Sequence, residues 1–419
     1  MAARIAFEND EVKVIFAAAV EPKVVEATRL ALTFPSDPYA STSWSGTPAG
    51  LIRGLLGCGV AVSGIGLQLP PILHKTVIGT SALFRLRPPS RESRNVVHEA
   101  LTRARVAPSQ GRLETFLARR RLRGTRRFDG IVQLGTGYAL PPAATVVTLE
   151  DMTVPLARQF GFDGYRDLSP RAFAARRDAQ ARAYANAVAC CATSAWAAES
   201  IVADFGIPRE RVHVVGVGAN HLPRMAERDW SQPRFLFIGS DWLVKNGDAV
   251  VRAFTVLRES WPNAQLDVAG HHPRLDVPGV RTHGWLHPDR VADRRRMERL
   301  FENATCFVMP SRREAMGIVY AEASSAGIAS IGTTAGGGYQ IIGDTGRVVD
   351  PDDDAELLDA MRELAEPERA RELGALAHDR SGLFTWQAVA ERLLRALRIP
   401  GVHVEHLAEF LEPVSLAAR

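Results

Sequence analysis

Cys306-Phe-Val-Met-Pro-Ser-Arg-Arg-Glu-Ala-Met-Gly-Ile-Val-Tyr-Ala-Glu-Ala323 is the stretch on which the reading of this chain turns. Four β-type apolar residues come first and Pro310 ends them, which predicts a short buried strand. Ile318 to Ala326 then follows helical spacing, with Gly317 at its start and Met316 just before it. Glu314 falls in the loop between strand and helix, and Glu322 falls inside the helix. A helix amino terminus presents unpaired N–H groups and a partial positive charge, so it favours an anion such as a diphosphate. A loop carboxylate beside it can accept hydrogen bonds from sugar hydroxyls, and a carboxylate in the helix can accept from a ribose. The competing reading is two surface glutamates flanking a helix start.

The same alternation extends outward from this stretch. Phe235–Ile238 reads as a strand ending at Gly239, Asp248 to Leu257 as a helix, Leu266–Ala269 as a strand and Ala329–Ile331 as another. Short apolar runs separated by helices argue for a parallel sheet covered on both faces, in which ligands sit outside the carboxyl ends of the strands. The amino-terminal half gives a similar though less regular pattern. Strands are expected at Val12 to Ala18, Val24 to Thr33, Val60 to Gly64, Gly130 to Leu134, Thr145 to Leu149, Ala187 to Ala192 and Val212 to Val217. A helix is expected over Pro48 to Leu56, after the Gly46-Thr47 turn. The polar segment 218–232 reads as a connector, so the expected domains are residues 1–225 and 226–385, followed by a terminal segment at 386–419.

Composition limits the classes to consider. The chain has 419 residues, 46% hydrophobic and 23% charged, with a net charge of +4, which suits a globular protein of two domains. No apolar run reaches the roughly 18 residues a spanning helix needs. Nor does the amino terminus read as a signal peptide. Cys58, Cys190, Cys191 and Cys306 form no C-x-x-C pair, and are expected as buried free thiols in a reducing cytoplasm. Lys occurs only at Lys13, Lys23, Lys75 and Lys245 among 51 basic residues. This Arg bias fits a GC-rich bacterial genome and makes Lys245 worth attention. Arginines crowd Arg85 to Arg127, including Arg119, Arg120, Arg121, Arg123, Arg126 and Arg127. That cluster is a candidate contact for an anionic membrane face or an acidic acceptor, or else a solvated helix face. With only Phe116 and Phe128 beside it, no nucleic-acid partner is expected. No G-x-G-x-x-G follows a first strand, which speaks against a dinucleotide-dependent oxidoreductase.

Lys245 lies in Phe235-Leu-Phe-Ile-Gly-Ser-Asp-Trp-Leu-Val-Lys-Asn-Gly-Asp248. A Lys just past a strand end offers a point charge to phosphates and to a leaving group. Together, the pattern P-S-x-x-E-x-x-G-x-x-x-x-E-A and the D-W-x-x-K segment resemble glycosyltransferase family 4 and its retaining GT-B relatives, a bacterial subgroup with D-W-x-x-K-G in particular. The resemblance implies a GT-B fold, two Rossmann-like domains facing across a cleft. It also implies transfer of a sugar from a UDP- or GDP-sugar to an acceptor hydroxyl, with no metal and no separate cofactor. Lys245 and Glu314 would carry the chemistry. Gly239, Ser240, Met316, Gly317, Ile318, Glu322, Gly46 and Trp285 would bind the donor, with Trp285 in the Val280 to Leu286 segment near the base. Thr334-Ala-Gly-Gly-Gly338 resembles the loop that approaches the donor phosphates. Phe384-Thr-Trp386 resembles the start of the last helix, which crosses back to the amino-terminal domain. Val188 to Ile201 resembles a family helix bearing Ser194.

The chain departs from the family at two positions. Ser240 stands where an Arg is usual, so either another Arg, with Arg312 and Arg313 the candidates, takes its place or diphosphate binding is weaker. Glu150-Asp151 stands where His-Asp is usual. The pair is expected to meet an amino or hydroxyl group of the donor sugar, or Asp151 simply caps the following helix. His271, His272 and His283 are expected as loop residues near base or sugar. Asp352-Asp353-Asp354 reads as a helix cap and not as a metal loop. A nucleotide-sugar epimerase or hydrolase on the same scaffold, or a catalytically impaired binding protein, are the other readings. The acceptor cannot be read from the sequence. The expected setting is cytoplasmic, with the Arg119 to Arg127 cluster as the candidate peripheral contact at the inner membrane face.

Overall fold

The computed structural model describes residues 4–8, 11–15, 28–69, 79–80, 96–123, 128–141 and 145–398. Arg126 and Arg127, and the tail beyond residue 398, lie outside the described residues. Two strands open the chain, β1 (Arg4–Glu8) and β2 (Glu11–Ile15), paired antiparallel as a separate two-stranded sheet. The expected strand over Val12 to Ala18 is thus part of a hairpin and not of a main sheet. The next expected strand begins later than its apolar run, at Arg29.

The first parallel sheet is built from β3 (Arg29–Phe34), β4 (Ala61–Gly66), β5 (Gly130–Leu134), β6 (Val146–Glu150), β7 (Ala189–Ala192) and β8 (Val212–Val214). Their spatial order is β4-β3-β5-β6-β7-β8. Crossovers run through α1 (Thr47–Gly57), then α2 (Val96–Arg105) and α3 (Pro108–Arg121), then α4 (Val154–Gln159) and α5 (Pro170–Asn186), then α6 (Ala195–Phe205). The second sheet has β9 (Arg234–Gly239), β10 (Gln265–Gly270), β11 (Val280–Gly284), β12 (Cys306–Val308), β13 (Ala329–Thr333) and β14 (Arg347–Val349), ordered β11-β10-β9-β12-β13-β14. Its helices are α7 (Gly247–Ser260), α8 (Val291–Asn303), α9 (Ile318–Ser325), the single turn α10 (Tyr339–Ile342), α11 (Asp354–Glu363) and α12 (Pro367–Arg380). Helix α13 (Trp386–Leu397) follows.

Both sheets are parallel throughout, and helices on both faces leave the central strands almost no solvent contact. All five residues of β5, β6 and β13 are buried. Each sheet reverses strand order once, between β3 and β5 in the first and between β9 and β12 in the second. In an open parallel sheet that reversal parts the loops at the carboxyl ends and leaves a crevice.

One apolar cluster runs through both domains and α13. Trp386, 6% exposed, fills a slot cut by three glycines. A Cβ on Gly50 would lie 2.2 Å from its ring, one on Gly54 2.1 Å from its carbonyl oxygen, and one on Gly218 2.5 Å from its backbone nitrogen and ring. Thr385 caps α13 by accepting from Ala388 N, and Arg392 Nε donates to Val215 O at 2.8 Å. Cys190, Cys191 and Cys306 are buried free thiols, whereas Cys58 is only half-buried.

Candidate functional site

The crevice of the second sheet lies between the loops after β9 and β12. The β9 loop is held rigidly. Trp242 packs edge-on against Phe237 with centroids 5.4 Å apart, and its indole N–H donates to Asp248 Oδ1 at 2.7 Å. Gly247 must lack a side chain, because a Cβ there would meet the Trp242 ring at 2.4 Å. Asn246 sits at φ +61°, the left-handed region that Asn tolerates better than most residues. Its side chain donates to Pro351 O at 2.7 Å. The inserted Asn between Lys245 and Gly247 thus stands at the start of α7 and fixes the turn through Pro351 without capping a helix N–H. Lys245 is presented at the end of this turn, its stem lying against Gly239, where a Cβ would approach within 3.1 Å.

Across the crevice, Glu314 is 8% exposed. Its Oε2 accepts from Lys245 Nζ, and Ser311 Oγ donates to the same oxygen at 3.4 Å. The Thr334 to Gly338 loop fixes the Glu314 backbone. Glu314 N donates to Ala335 O at 2.9 Å and Gly337 N to Glu314 O at 3.1 Å. Gly336, at φ +125°, could carry no side chain, since its Cβ would fall 1.7 Å from Glu314 O. The glycines thus allow one loop to clamp the other. Gly317, at φ +74°, caps α9, so the free N–H groups of Ile318 and its neighbours stand beside the Lys245–Glu314 pair. Met316 is buried behind them.

Glu322 lies further along α9 and meets the interdomain connector. Its Oε1 accepts from His221 N at 3.2 Å. Burial pushes its carboxyl up to about 7 against the opposing pull of the His221 and Asn220 N–H groups. Asn220 ties three elements together. It donates to Ser45 O at 2.6 Å, it accepts from the Trp386 indole at 3.1 Å, and its side chain borders the space beside Gly46. Sequence reading passed over Asn220 as part of a polar connector. The signal that could have found it is a residue carrying both donor and acceptor two positions after Gly218. Gly46, at φ +79°, caps α1.

Neither expected substitute for the missing Arg points into the crevice. Arg312 pairs with Asp352 at 2.6 Å and donates to Asn246 Oδ1 at 3.0 Å. Arg313 crosses to the first domain, donating to Gly161 O and pairing with Asp163 at 3.5 Å. Ser240 is exposed. Trp285 is 41% exposed and stacks on His271 with centroids 4.7 Å apart, on the loops after β10 and β11. His283 is in β11 and not in a loop. It bonds Asp267 Oδ1 at 2.6 Å and receives Arg296 Nη2 at 2.9 Å. Asp353 does cap α11, accepting from Ala355 N and Glu356 N. Val188 to Ile201 is a strand, a turn and a helix, with Ser194 capping α6.

Glu150 ends β6 in the first domain and Asp151 follows it. The helix after them is capped by Thr153, not by Asp151, because two more residues separate Asp151 from the first turn. Instead Asp151 Oδ2 accepts from the Trp44 indole at 2.8 Å. Burial raises its carboxyl to about 6, opposed by the Trp44 indole N–H. Glu150 is 7% exposed and accepts from Thr136 Oγ1. Thr136 in turn accepts from Gln180 Nε2 at 2.7 Å. Burial pushes the Glu150 carboxyl up to about 8, opposed by the Thr136 hydroxyl and reinforced by Asp151. Both residues line a cavity of about 640 Å³.

Among the described residues, no group of three or more His, Cys, Asp or Glu is placed to hold a metal ion. None of their helices is long and apolar enough to cross a membrane.

Residues 232–367 match the family described as Glycosyl transferases group 1. The chain is 28% identical over 238 residues to D-inositol 3-phosphate glycosyltransferase 1 of Catenulispora acidiphila, covering 49% of this chain and 56% of that protein. It is 31% identical over 185 residues to the glycogen synthase of Mycobacterium tuberculosis, covering 42% of this chain and 45% of the other. It thus spans about half the length of the curated relatives it matches. Among solved structures, sucrose-phosphate synthase of Thermosynechococcus elongatus superposes with a TM-score of 0.61 at 18% identity, over 88% of this chain and 98% of that one. WaaG, titled a glycosyltransferase involved in lipopolysaccharide biosynthesis, gives 0.58 at 16% identity, over 89% of this chain and all of the other. The architecture is the two-domain α/β GT-B fold.

Proposed function

We propose that the protein is a retaining glycosyltransferase moving a sugar from a nucleotide-sugar donor, a UDP- or GDP-sugar, to an acceptor hydroxyl. The observation that carries this reading is the Lys245–Glu314 pair at the strand reversal of the second sheet, beside the open amino terminus of α9. One partly buried cation and the N–H groups at the start of that helix suit a diphosphate. The family match over residues 232–367 supports the same reading.

In this account the donor diphosphate takes Lys245 from Glu314. The bond between the anomeric carbon and the diphosphate oxygen breaks while the acceptor oxygen bonds to that carbon on the same face. The departing oxygen takes the acceptor proton. Lys245 and the α9 N–H groups hold the charge that develops on the diphosphate, so the reaction needs no metal ion for that purpose. Glu314, released from Lys245, accepts from sugar hydroxyls. Glu322 faces the ribose, and the exposed Trp285–His271 stack offers the base an aromatic surface. The proposed setting is cytoplasmic, and the exposed Arg119, Arg120 and Arg121 at the end of α3 are the proposed contact with an anionic membrane face.

The test is the anomeric configuration of the product, read by proton NMR with an α-linked donor and with EDTA present. An α-linked product made in EDTA supports the reading. A β-linked product refutes retention, and loss of turnover in EDTA refutes metal independence. Consumption of donor at an equal rate without any acceptor favours a hydrolase or epimerase.

A further inference from the structure

The two members of the Lys245–Glu314 pair are anchored differently. The turn carrying Lys245 is fastened from within the second domain. Asn246 donates to Pro351 O at 2.7 Å, Trp242 to Asp248 at 2.7 Å, and Arg312 to Asn246 at 3.0 Å. The Glu314 backbone is clamped instead by the Thr334 to Gly338 loop. That loop, and the residue directly before Glu314, both reach across the cleft to the first domain.

Arg313 makes the first crossing. Its side chain is 14% exposed. Nη1 donates to Gly161 O, and Nη2 stands 3.5 Å from Asp163 Oδ1. Both acceptors lie between α4 and α5. A guanidinium with so little water contact needs acceptors, and a charge-assisted bond to a carbonyl is stronger than a neutral one. Gln340 of α10 makes the second crossing. It is 3% exposed, and its Oε1 accepts from Ala195 N at 2.6 Å. Ala195 opens α6, so its N–H has no partner within its own helix. Gly337 lets the surfaces close. A Cβ there would fall 2.5 Å from Ser194 Oγ of the first domain and 2.5 Å from Ala315 O. One missing side chain thus admits both the Glu314 loop and the start of α6.

We propose that Arg313 and Gln340 are positioning residues, which set Glu314 against the first domain and are not ligands of the donor. Lys245 then keeps its place in the second domain alone, whereas Glu314 answers to both domains. A shift between the domains changes the reach of Glu314 toward Lys245 and toward the sugar. Lys245 and the α9 N–H groups meanwhile keep their hold on the diphosphate. What Glu314 does in the reaction rests on the transfer reading above. The tie across the cleft rests on the geometry alone.

The test follows amide hydrogen exchange by mass spectrometry in the full-length protein without ligand. Asp163→Lys, at a side chain 40% exposed, sets an ammonium against the Arg313 guanidinium from the first domain. It is expected to speed exchange about tenfold over 311–317 and 334–340 as well as over 160–168, an opening of both faces, with 242–250 unchanged. Arg313→Met is expected to give the same pattern. Calorimetric titration of UDP is expected to give an affinity within about twofold of the wild type in both variants. With UDP-, GDP-, ADP- and TDP-glucose as probes, kcat for the donor consumed is expected to fall about tenfold or more while its KM holds within about twofold. Faster exchange in Asp163→Lys confined to 160–168 overturns the tie. A loss of UDP affinity of about tenfold in Arg313→Met makes Arg313 a donor ligand and overturns the proposal, as does an unchanged kcat in both variants. Failure of UDP and of every probe to bind the wild type sinks the transferase reading and leaves the exchange result to decide the tie.

Discussion

Replacing Lys245 by Met tests both the stability and the chemistry assigned to the donor crevice. The Lys245 and Glu314 side chains are 18% and 10% exposed, so their charges are poorly screened. Met keeps the apolar stem against Gly239 and leaves Glu314 buried and unpaired. Breaking a buried pair in this way costs about 3 kcal/mol, the lower end for such pairs because both groups retain some water contact. Glu314→Gln leaves a lysine that can still reach solvent and is expected to cost about 1 kcal/mol. The double variant is expected to recover roughly 2 kcal/mol relative to the sum, which urea unfolding followed by the fluorescence of neighbouring Trp242 measures as a coupling energy. Binding should split the two residues in opposite directions. Lys245→Met is expected to weaken UDP binding about tenfold to a hundredfold and to slow turnover by about 10²–10³. Glu314→Gln, which frees Lys245 and removes a carboxylate from beside the diphosphate, is expected to bind UDP as tightly as the wild type or tighter while turnover falls. Equal UDP affinity in Lys245→Met and the wild type would refute the role given to Lys245. A loss of UDP affinity in Glu314→Gln would refute the competition between carboxylate and diphosphate.

Three further outcomes follow from the geometry. Glu150 holds its proton up to about 8 in the fold against 4.5 ordinarily, so between those values the native state binds more protons than the unfolded chain and stability falls as pH rises. Glu150→Gln should flatten that decline by up to about 1 kcal/mol per pH unit, seen in denaturant midpoints at pH 5 and pH 8; an unchanged slope contradicts the burial argument. Trp386→Ala empties the space against Gly50 and Gly218 and is expected to cost about 3–5 kcal/mol, with hydrogen exchange rising in both α1 and α13; a loss below 1 kcal/mol would mean that α13 is not held by this ring. Asn220→Ala removes the bonds to Ser45 and Trp386 and should cost about 1–2 kcal/mol, with higher proteolysis at the 218–232 connector; equal cleavage rates count against it.

Much of the second domain could be read from sequence because its strands are buried on both faces. A strand with helices above and below is apolar at most positions, so β9 and β12 stand out as runs and β13 as a shorter one around Ile331. The glycines and prolines that end them mark the loops carrying Lys245 and Glu314. What the sequence did not disclose depends on residues brought together from afar. Arg313 was visible as a candidate for the donor crevice, but Gly161, which receives it, lies 152 positions before it, with no local spacing to connect them. Asn220 joins residues 175 and 166 positions away. Val12 to Ala18 has the composition of a core strand, yet half of it pairs locally with β1, since a hairpin closes with far less loop entropy than entry into a distant sheet. Asp151 stands two residues too early to cap the helix, which Thr153 does, and its partner, the Trp44 indole, comes from more than a hundred residues away.

Calorimetric titration of UDP-, GDP-, ADP- and TDP-sugars into the wild type and Lys245→Met bears most directly on the central claim. The account predicts that at least one donor binds the wild type, that its affinity falls about tenfold or more in Lys245→Met, and that the loss is carried by the diphosphate, so that the nucleoside alone is unaffected. Binding of no nucleotide sugar, or equal affinity in the two proteins, would contradict it.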